Sequence, residues 1–64
     1  MFVPNHDGNV LINTAHITTV HLVPPCLERK EYWVVANLTH GDAILHKGTK
    51  ESCKDYMWDF ASEN

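Results

Sequence analysis

Large apolar residues concentrate in the second half of the chain, in two short runs. Tyr32–Leu38 is rich in β-branched and aromatic residues, and Ala43–His46 follows a segment that contains Gly41. Two β-favouring runs separated by a short turn with a glycine are typical of a β-hairpin. The pattern therefore predicts a hairpin over these two runs.

The turn predicts the register of that hairpin. A two-residue loop at His40–Gly41 places Leu38 opposite Ala43. It also places Val34 opposite Lys47, on the same face of the sheet. Side chains of a strand alternate between faces, so the second face would carry Trp33, Val35, Asn37, Ile44 and His46.

A helical period follows directly after the hairpin. Thr49 is a suitable N-cap after Gly48, because its hydroxyl can accept a hydrogen bond from a backbone N–H in the first turn. Apolar residues then recur at the spacing of one helix face, namely Cys53, Tyr56, Met57, Phe60 and Ala61. An amphipathic helix is therefore predicted from about Thr49 to Ser62.

Two β-favouring runs, Val10–Ile12 and Ile17–Val23, predict further strands, and Pro24–Pro25 ends the second. Residues 1–8 are expected to be irregular. The predicted fold is α+β, an antiparallel sheet of three to four strands with one C-terminal amphipathic helix packed on one face, in a single small domain, 1–64. The predicted core is Leu11, Val20, Leu22, Val34, Ala36, Leu38, Leu45, Cys53, Tyr56, Met57 and Phe60.

One helix can cover only one face of this hairpin. Trp33, Val35 and Ile44 remain on the other face. Either the N-terminal segment folds over them or another copy of the chain does, and the small size of a 64-residue domain favours the second alternative. Trp58 lies off the helix stripe, where either the stem of Lys54 or another chain covers it. We therefore predict an interface formed by Trp33, Val35, Ile44 and Trp58, with a homo-oligomer or another protein as the partner.

Five Lys and Arg residues against eight Asp and Glu residues give a net charge of −3, which counts against nucleic-acid binding. Single-stranded nucleic acid is the alternative partner, because aromatic residues on a sheet can stack on bases. That surface would combine Tyr32 and Trp33 with Arg29, Lys30 and Lys47.

The chain shows no signal peptide and no apolar run of about 20 residues, so a cytoplasmic protein without membrane contact is expected.

Five histidines and two cysteines raise the question of a metal or thiol site. Zinc sites usually contain close Cys or His pairs, and His16 and His21 have no cysteine pair near them. Cys53 with His46 could form a nucleophile and its base, but Cys53 belongs to the apolar stripe, where a cysteine acts as a small hydrophobe. We predict no catalytic, cofactor-binding or metal-binding residues and no enzymatic activity, with a thiol or zinc-dependent activity as the second alternative.

The order of elements resembles short bacterial and phage-encoded proteins of unknown function. The resemblance covers roughly Val10 to Ala61: a Leu-Ile-Asn strand, the connector Thr14-Ala15-His16-Ile17, a second strand, a hairpin and a C-terminal helix. It implies a meander sheet with one helix and supplies no site residues. The function predicted from the sequence is a non-enzymatic, self-associating protein-interaction module.

Overall fold

The computed structural model describes residues 1–63 and has the predicted α+β architecture, with a C-terminal helix that contacts an antiparallel sheet. Residues 1–63 form five strands, one turn of 3-10 helix at Thr14–His16 and one α-helix. The strands and helix are β1 (Phe2–Pro4), β2 (Leu11–Asn13), β3 (Ile17–Val23), β4 (Tyr32–Leu38), β5 (Gly41–Gly48) and α1 (Lys50–Glu63). The main sheet has the order β3-β4-β5, and β1 and β2 form a separate two-stranded sheet.

The N-terminal residues form a hairpin where the sequence predicts an irregular start. Val3 of β1 pairs with Ile12 of β2, and these two side chains pack on the core. In the connecting turn the side-chain oxygen of Asn5 accepts hydrogen bonds from the N–H groups of Asn9 and Val10. Leu11, predicted to be in the core, is 68% exposed, because alternation along β2 turns it away from Ile12.

The register of the β4–β5 hairpin differs from the predicted one. Leu38 pairs with Gly41, so the two-residue loop is Thr39–His40 and the glycine is the first residue of β5. Gly41 has φ of 149°, a conformation that L side chains rarely adopt, so the glycine is needed next to the loop and not inside it.

A β-bulge in β5 changes the faces of the residues that follow it. Val35 pairs with Ile44, whereas Val34 pairs with His46, so Leu45 is an extra residue between them. His46 therefore lies on the helix side, where its ring stacks on Tyr56. Lys47 lies on the opposite face, over Trp33. The predicted faces of His46 and Lys47 are both wrong for this reason.

Helix α1 begins as predicted. The hydroxyl of Thr49 accepts a hydrogen bond from the N–H of Ser52, and its carbonyl accepts one from Cys53. The helix packs around a small buried cluster through four residues of the predicted stripe, Cys53, Tyr56, Met57 and Phe60, whereas the fifth, Ala61, is exposed. That cluster is Ile12, Val34, Ala36, Leu45 and Cys53, with Val3, Ile17, Val20, Leu22, Tyr32, Leu38, Ala43, Tyr56, Met57 and Phe60 partly buried against it.

The chain exposes more surface than its mass requires. Its accessible surface is 4539 Å², whereas a folded monomer of 7.3 kDa exposes about 4,200 Å². Several large apolar side chains are exposed, among them Phe2, Leu11 and Leu27. The largest of them in α1 is Trp58, which is 74% exposed.

Candidate functional site

An apolar groove lies on the helix side of the sheet, between α1 and β3. It has a volume of about 620 Å³, and Lys54 is the one charged residue in its lining. We call it the Trp58 groove. Its lining residues are Val20, Leu22, Lys54, Met57, Trp58, Phe60 and Ala61.

The position of Trp58 in α1 explains its exposure. Met57 and Phe60 lie on the stripe that packs on the sheet, and both are partly buried. Consecutive helical residues are about 100° apart around the axis, so Trp58 projects beside the stripe and stands at the side of the groove. Lys54 is one turn before it and Ala61 is three residues after it, and both line the same groove.

Trp33 has partners within its own chain. The Arg29 guanidinium carbon lies 4.0 Å from the ring centroid and the Lys47 ammonium lies 4.8 Å from it. The indole Nε1 donates a hydrogen bond of 3.1 Å to a carboxylate oxygen of Glu31. Arg29 is held in place because its Nη2 donates to the carbonyl of Pro24 at 2.7 Å. Two cations and a carboxylate thus surround this ring.

For the other tryptophan, Trp58, the sequence left two alternatives open, a cation–π contact with Lys54 or cover by another chain. Among the residues that the structure describes, the cation–π pairs are those of Arg29 and Lys47 with Trp33. Trp58 has no such pair within residues 1–63, although Lys54 lies one turn away.

The four predicted interface residues do not lie on one surface. Val35 is buried and Ile44 is half-buried, and both lie with Trp33 on the face of the sheet away from α1. Trp58 lies on the helix side. The structure therefore separates Trp58 from the other three by the thickness of the sheet.

The two edges of the main sheet differ. At the β5 edge, the N–H of His6 donates a 2.8 Å hydrogen bond to the carbonyl of Ile44, so the N-terminal segment contacts that edge. At the β3 edge, no strand pairs with the outer side of Ile17–Val23 anywhere in residues 1–63. Val20 and Leu22 of this strand also line the Trp58 groove, so the groove and the unpaired edge form one continuous surface.

Val20 and Leu22 pack partly buried against the core, as predicted, but the sequence does not predict that they also line the groove. The signal for the open edge is present in the sequence, because Ile17–Val23 has no Asp, Glu, Lys or Arg, and charged residues usually protect an edge strand. A second exposed apolar surface, also missed, is the outer side of the β1–β2 hairpin with Phe2 and Leu11.

Cys53 and His46 do not form a nucleophile–base pair. The thiol of Cys53 is buried and donates to the carbonyl of Tyr32 at 3.4 Å. Burial, followed by the nearby negative charge of Glu31, raises the pKa of this thiol and disfavours the reactive thiolate. His46 instead forms a 2.7 Å hydrogen bond between its Nε2 and the hydroxyl of Ser52. This bond ties β5 to the first turn of α1.

No cluster of three or more His, Cys, Asp or Glu side chains suited to a metal ion occurs in residues 1–63. Within the same residues, α1 is neither long nor apolar enough to cross a bilayer.

A comparison of the chain with protein-family models, curated proteins and solved structures finds no match. The resemblance to short bacterial and phage-encoded proteins stays an expectation from the order of elements.

Proposed function

We propose that this protein is a non-enzymatic, self-associating interaction module whose contact surface is the Trp58 groove. The observation that carries the proposal is the side chain of Trp58, which is 74% exposed beside a groove lined almost entirely by apolar residues. Tryptophan is the residue most enriched where interfaces lose the most affinity on truncation. An exposed indole beside an apolar groove is typical of a protein–protein contact surface.

A second copy of the chain fits this surface better than a strongly charged partner does. The groove contains one cation, Lys54, while Glu51 and Asp55 lie nearby on the same helix. A twofold contact needs a surface that is complementary to itself, and a surface that is mainly apolar with both signs of charge around it meets that need. The excess accessible surface of the isolated chain supports the same partner.

Single-stranded nucleic acid is less well supported as a partner. Base stacking on Trp33 would have to displace Arg29 and Lys47, which already lie over that ring. Tyr32 packs against the core on the helix side and so does not share a face with Trp33. The overall charge of −3 adds repulsion from phosphates.

Sedimentation equilibrium of the intact protein over a range from about 1 to 500 μM tests the proposal, since weak, small interfaces have dissociation constants in this range. We expect the mass-average to rise from 7.3 kDa towards a closed oligomer as concentration increases. A folded protein that remains at 7.3 kDa throughout would exclude self-association.

A further inference from the structure

β3 is a seven-residue strand at one edge of the main sheet. Within residues 1–63 it pairs with β4 on its inner side and with no strand on its outer side. Its outward-facing backbone N–H and C=O groups can bind another extended strand. The strand carries no charged side chain among Asp, Glu, Lys and Arg, and no proline interrupts it before Pro24. A bulge affects only its start, between Ile17 and Thr19, so Thr19–Val23 pairs regularly with β4.

The edge of β5 shows what a protected edge looks like in the same sheet. It carries Asp42 and Lys47, it is interrupted by the bulge at Leu45, and His6 binds one of its carbonyls. Charges, bulges and covering segments are the features that prevent strand addition. The β3 edge has none of these along Thr19–Val23.

We infer that two copies of this chain join through their β3 edges, antiparallel, into one continuous six-stranded sheet. This inference rests on the proposed function and specifies how the second copy binds. An antiparallel edge is complementary to itself, because each strand offers N–H and C=O groups in the same alternating order when it is rotated by a twofold axis. A strand without Asp, Glu, Lys or Arg brings no like charges from such residues together at the join.

The twofold axis of such a join runs perpendicular to the sheet, so both helices lie on the same face. Val20 and Leu22 line the Trp58 groove from β3. Joining two β3 strands therefore brings the two Trp58 grooves next to each other, and the exposed indoles border one shared apolar space. The backbone pairing and the apolar contact are two parts of one interface.

The test uses charge on the exposed side chains of the edge. Thr19 and His21 are exposed and project from the face away from α1. The variant T19K/H21K places like charges on both sides of the join, whereas T39K/H40K makes the same two residue changes in the exposed hairpin loop. The two variants have identical composition and net charge, so only the position of the lysines differs.

We expect T19K/H21K to raise the dissociation constant measured by sedimentation by about tenfold or more, because like charges in an interface are strongly unfavourable. T39K/H40K should retain the wild-type constant. Equal constants for the two variants would overturn the edge pairing. Circular dichroism of each variant establishes that both are folded.

Amide hydrogen exchange of the unmodified protein gives an independent reading. At concentrations where it is associated, the outward-facing β3 amides should exchange at least about tenfold more slowly than after dilution, since new hydrogen bonds protect them. Association without added protection in β3 would reject the edge pairing and leave the proposed function standing. Absence of association at every concentration would reject both.

Discussion

Trp33 and Trp58 are the two tryptophans of this chain, and the structure treats them in opposite ways. Trp33 lies on the sheet, where two cations contact its ring. Its indole N–H donates a hydrogen bond to a carboxylate. Trp58 lies on the helix, 74% exposed, beside an apolar groove. A large aromatic residue outside the predicted core therefore does not by itself indicate an interface. Its neighbours in the folded chain have to be known first.

Local geometry produces the difference. Lys47 reaches Trp33 because the bulge at Leu45 moves it onto that face, and Arg29 reaches it from a loop that is anchored to the carbonyl of Pro24. At Trp58 the nearest cation along the helix is Lys54, and it lines the groove without lying over the ring. Trp33 therefore has partners that stabilise the monomer, and we propose that Trp58 contributes to association.

The largest expected effect is at Trp58. Trp58→Ala should raise the dissociation constant about 30-fold or more, because truncating a central interface tryptophan costs about 2 kcal/mol or more. The unfolding free energy of the monomer should change by less than about 0.5 kcal/mol, as for other exposed positions. Sedimentation equilibrium and denaturant unfolding measure the two quantities.

Leu11→Ala is the matched control for Trp58→Ala, since Leu11 is a 68% exposed apolar residue on the other unassigned surface. It should leave the dissociation constant unchanged. If Leu11→Ala weakens association and Trp58→Ala does not, the contact surface is the β1–β2 hairpin.

The second largest effect is expected at Trp33, and it is on the stability of the monomer instead of on association. Trp33→Ala should lower the unfolding free energy by about 2 kcal/mol, because it removes a half-buried ring and two cation–π contacts. Denaturant unfolding at a concentration where the protein is monomeric measures this loss. An unchanged stability together with lost association would reverse the roles assigned to the two tryptophans.

A smaller effect is expected at the cations beside Trp33. Arg29→Gln should lower the unfolding free energy by about 1 kcal/mol, since it removes a cation–π contact and a hydrogen bond to the Pro24 carbonyl. Lys30→Gln removes the same charge from an exposed neighbour and should change stability by less than about 0.5 kcal/mol. Equal losses would indicate a general charge effect in place of the contact with Trp33.

The smallest expected effect is on the pH dependence of the unfolding free energy, and it distinguishes the two cysteines. The folded pKa of Cys53 is raised, so the folded state keeps the thiol proton at pH values where the unfolded state has lost it. The unfolding free energy should therefore fall as pH rises above the ordinary thiol pKa of about 8.5. Cys53→Ser should remove this part of the pH dependence, and Cys26→Ser, at an exposed site, should retain it. A thiol reagent should modify Cys26 in the folded protein and Cys53 only on unfolding.

The sequence predicts the hairpin and the helix because both patterns are long enough to define a period. Tyr32–Leu38 is a strong β-favouring run, and the stripe after Thr49 extends over three turns. The β1–β2 hairpin escapes prediction because three-residue strands show no alternation. The choice between Leu11 and Ile12 as the buried residue depends on the pairing of Ile12 with Val3, which no local pattern reveals.

The interface prediction depends on details that the sequence does not contain. The bulge at Leu45 has no signature in the residues around it, and it decides which side chains lie beside Trp33. The position of Trp58 off the helix stripe was readable from spacing alone. The spacing does not predict which strand lies next to Trp58. In the structure that strand is β3, whose outer edge is unpaired within residues 1–63.

The most direct test of the central claim uses each tryptophan as its own reporter. Trp33→Phe leaves Trp58 as the sole tryptophan, and Trp58→Phe leaves Trp33. Acrylamide quenching of each variant is measured from dilute to associated conditions, with the mass determined in parallel. We expect quenching of Trp58 to decrease as the mass increases, while quenching of Trp33 stays constant. A mass increase with unchanged quenching of Trp58 would contradict this expectation.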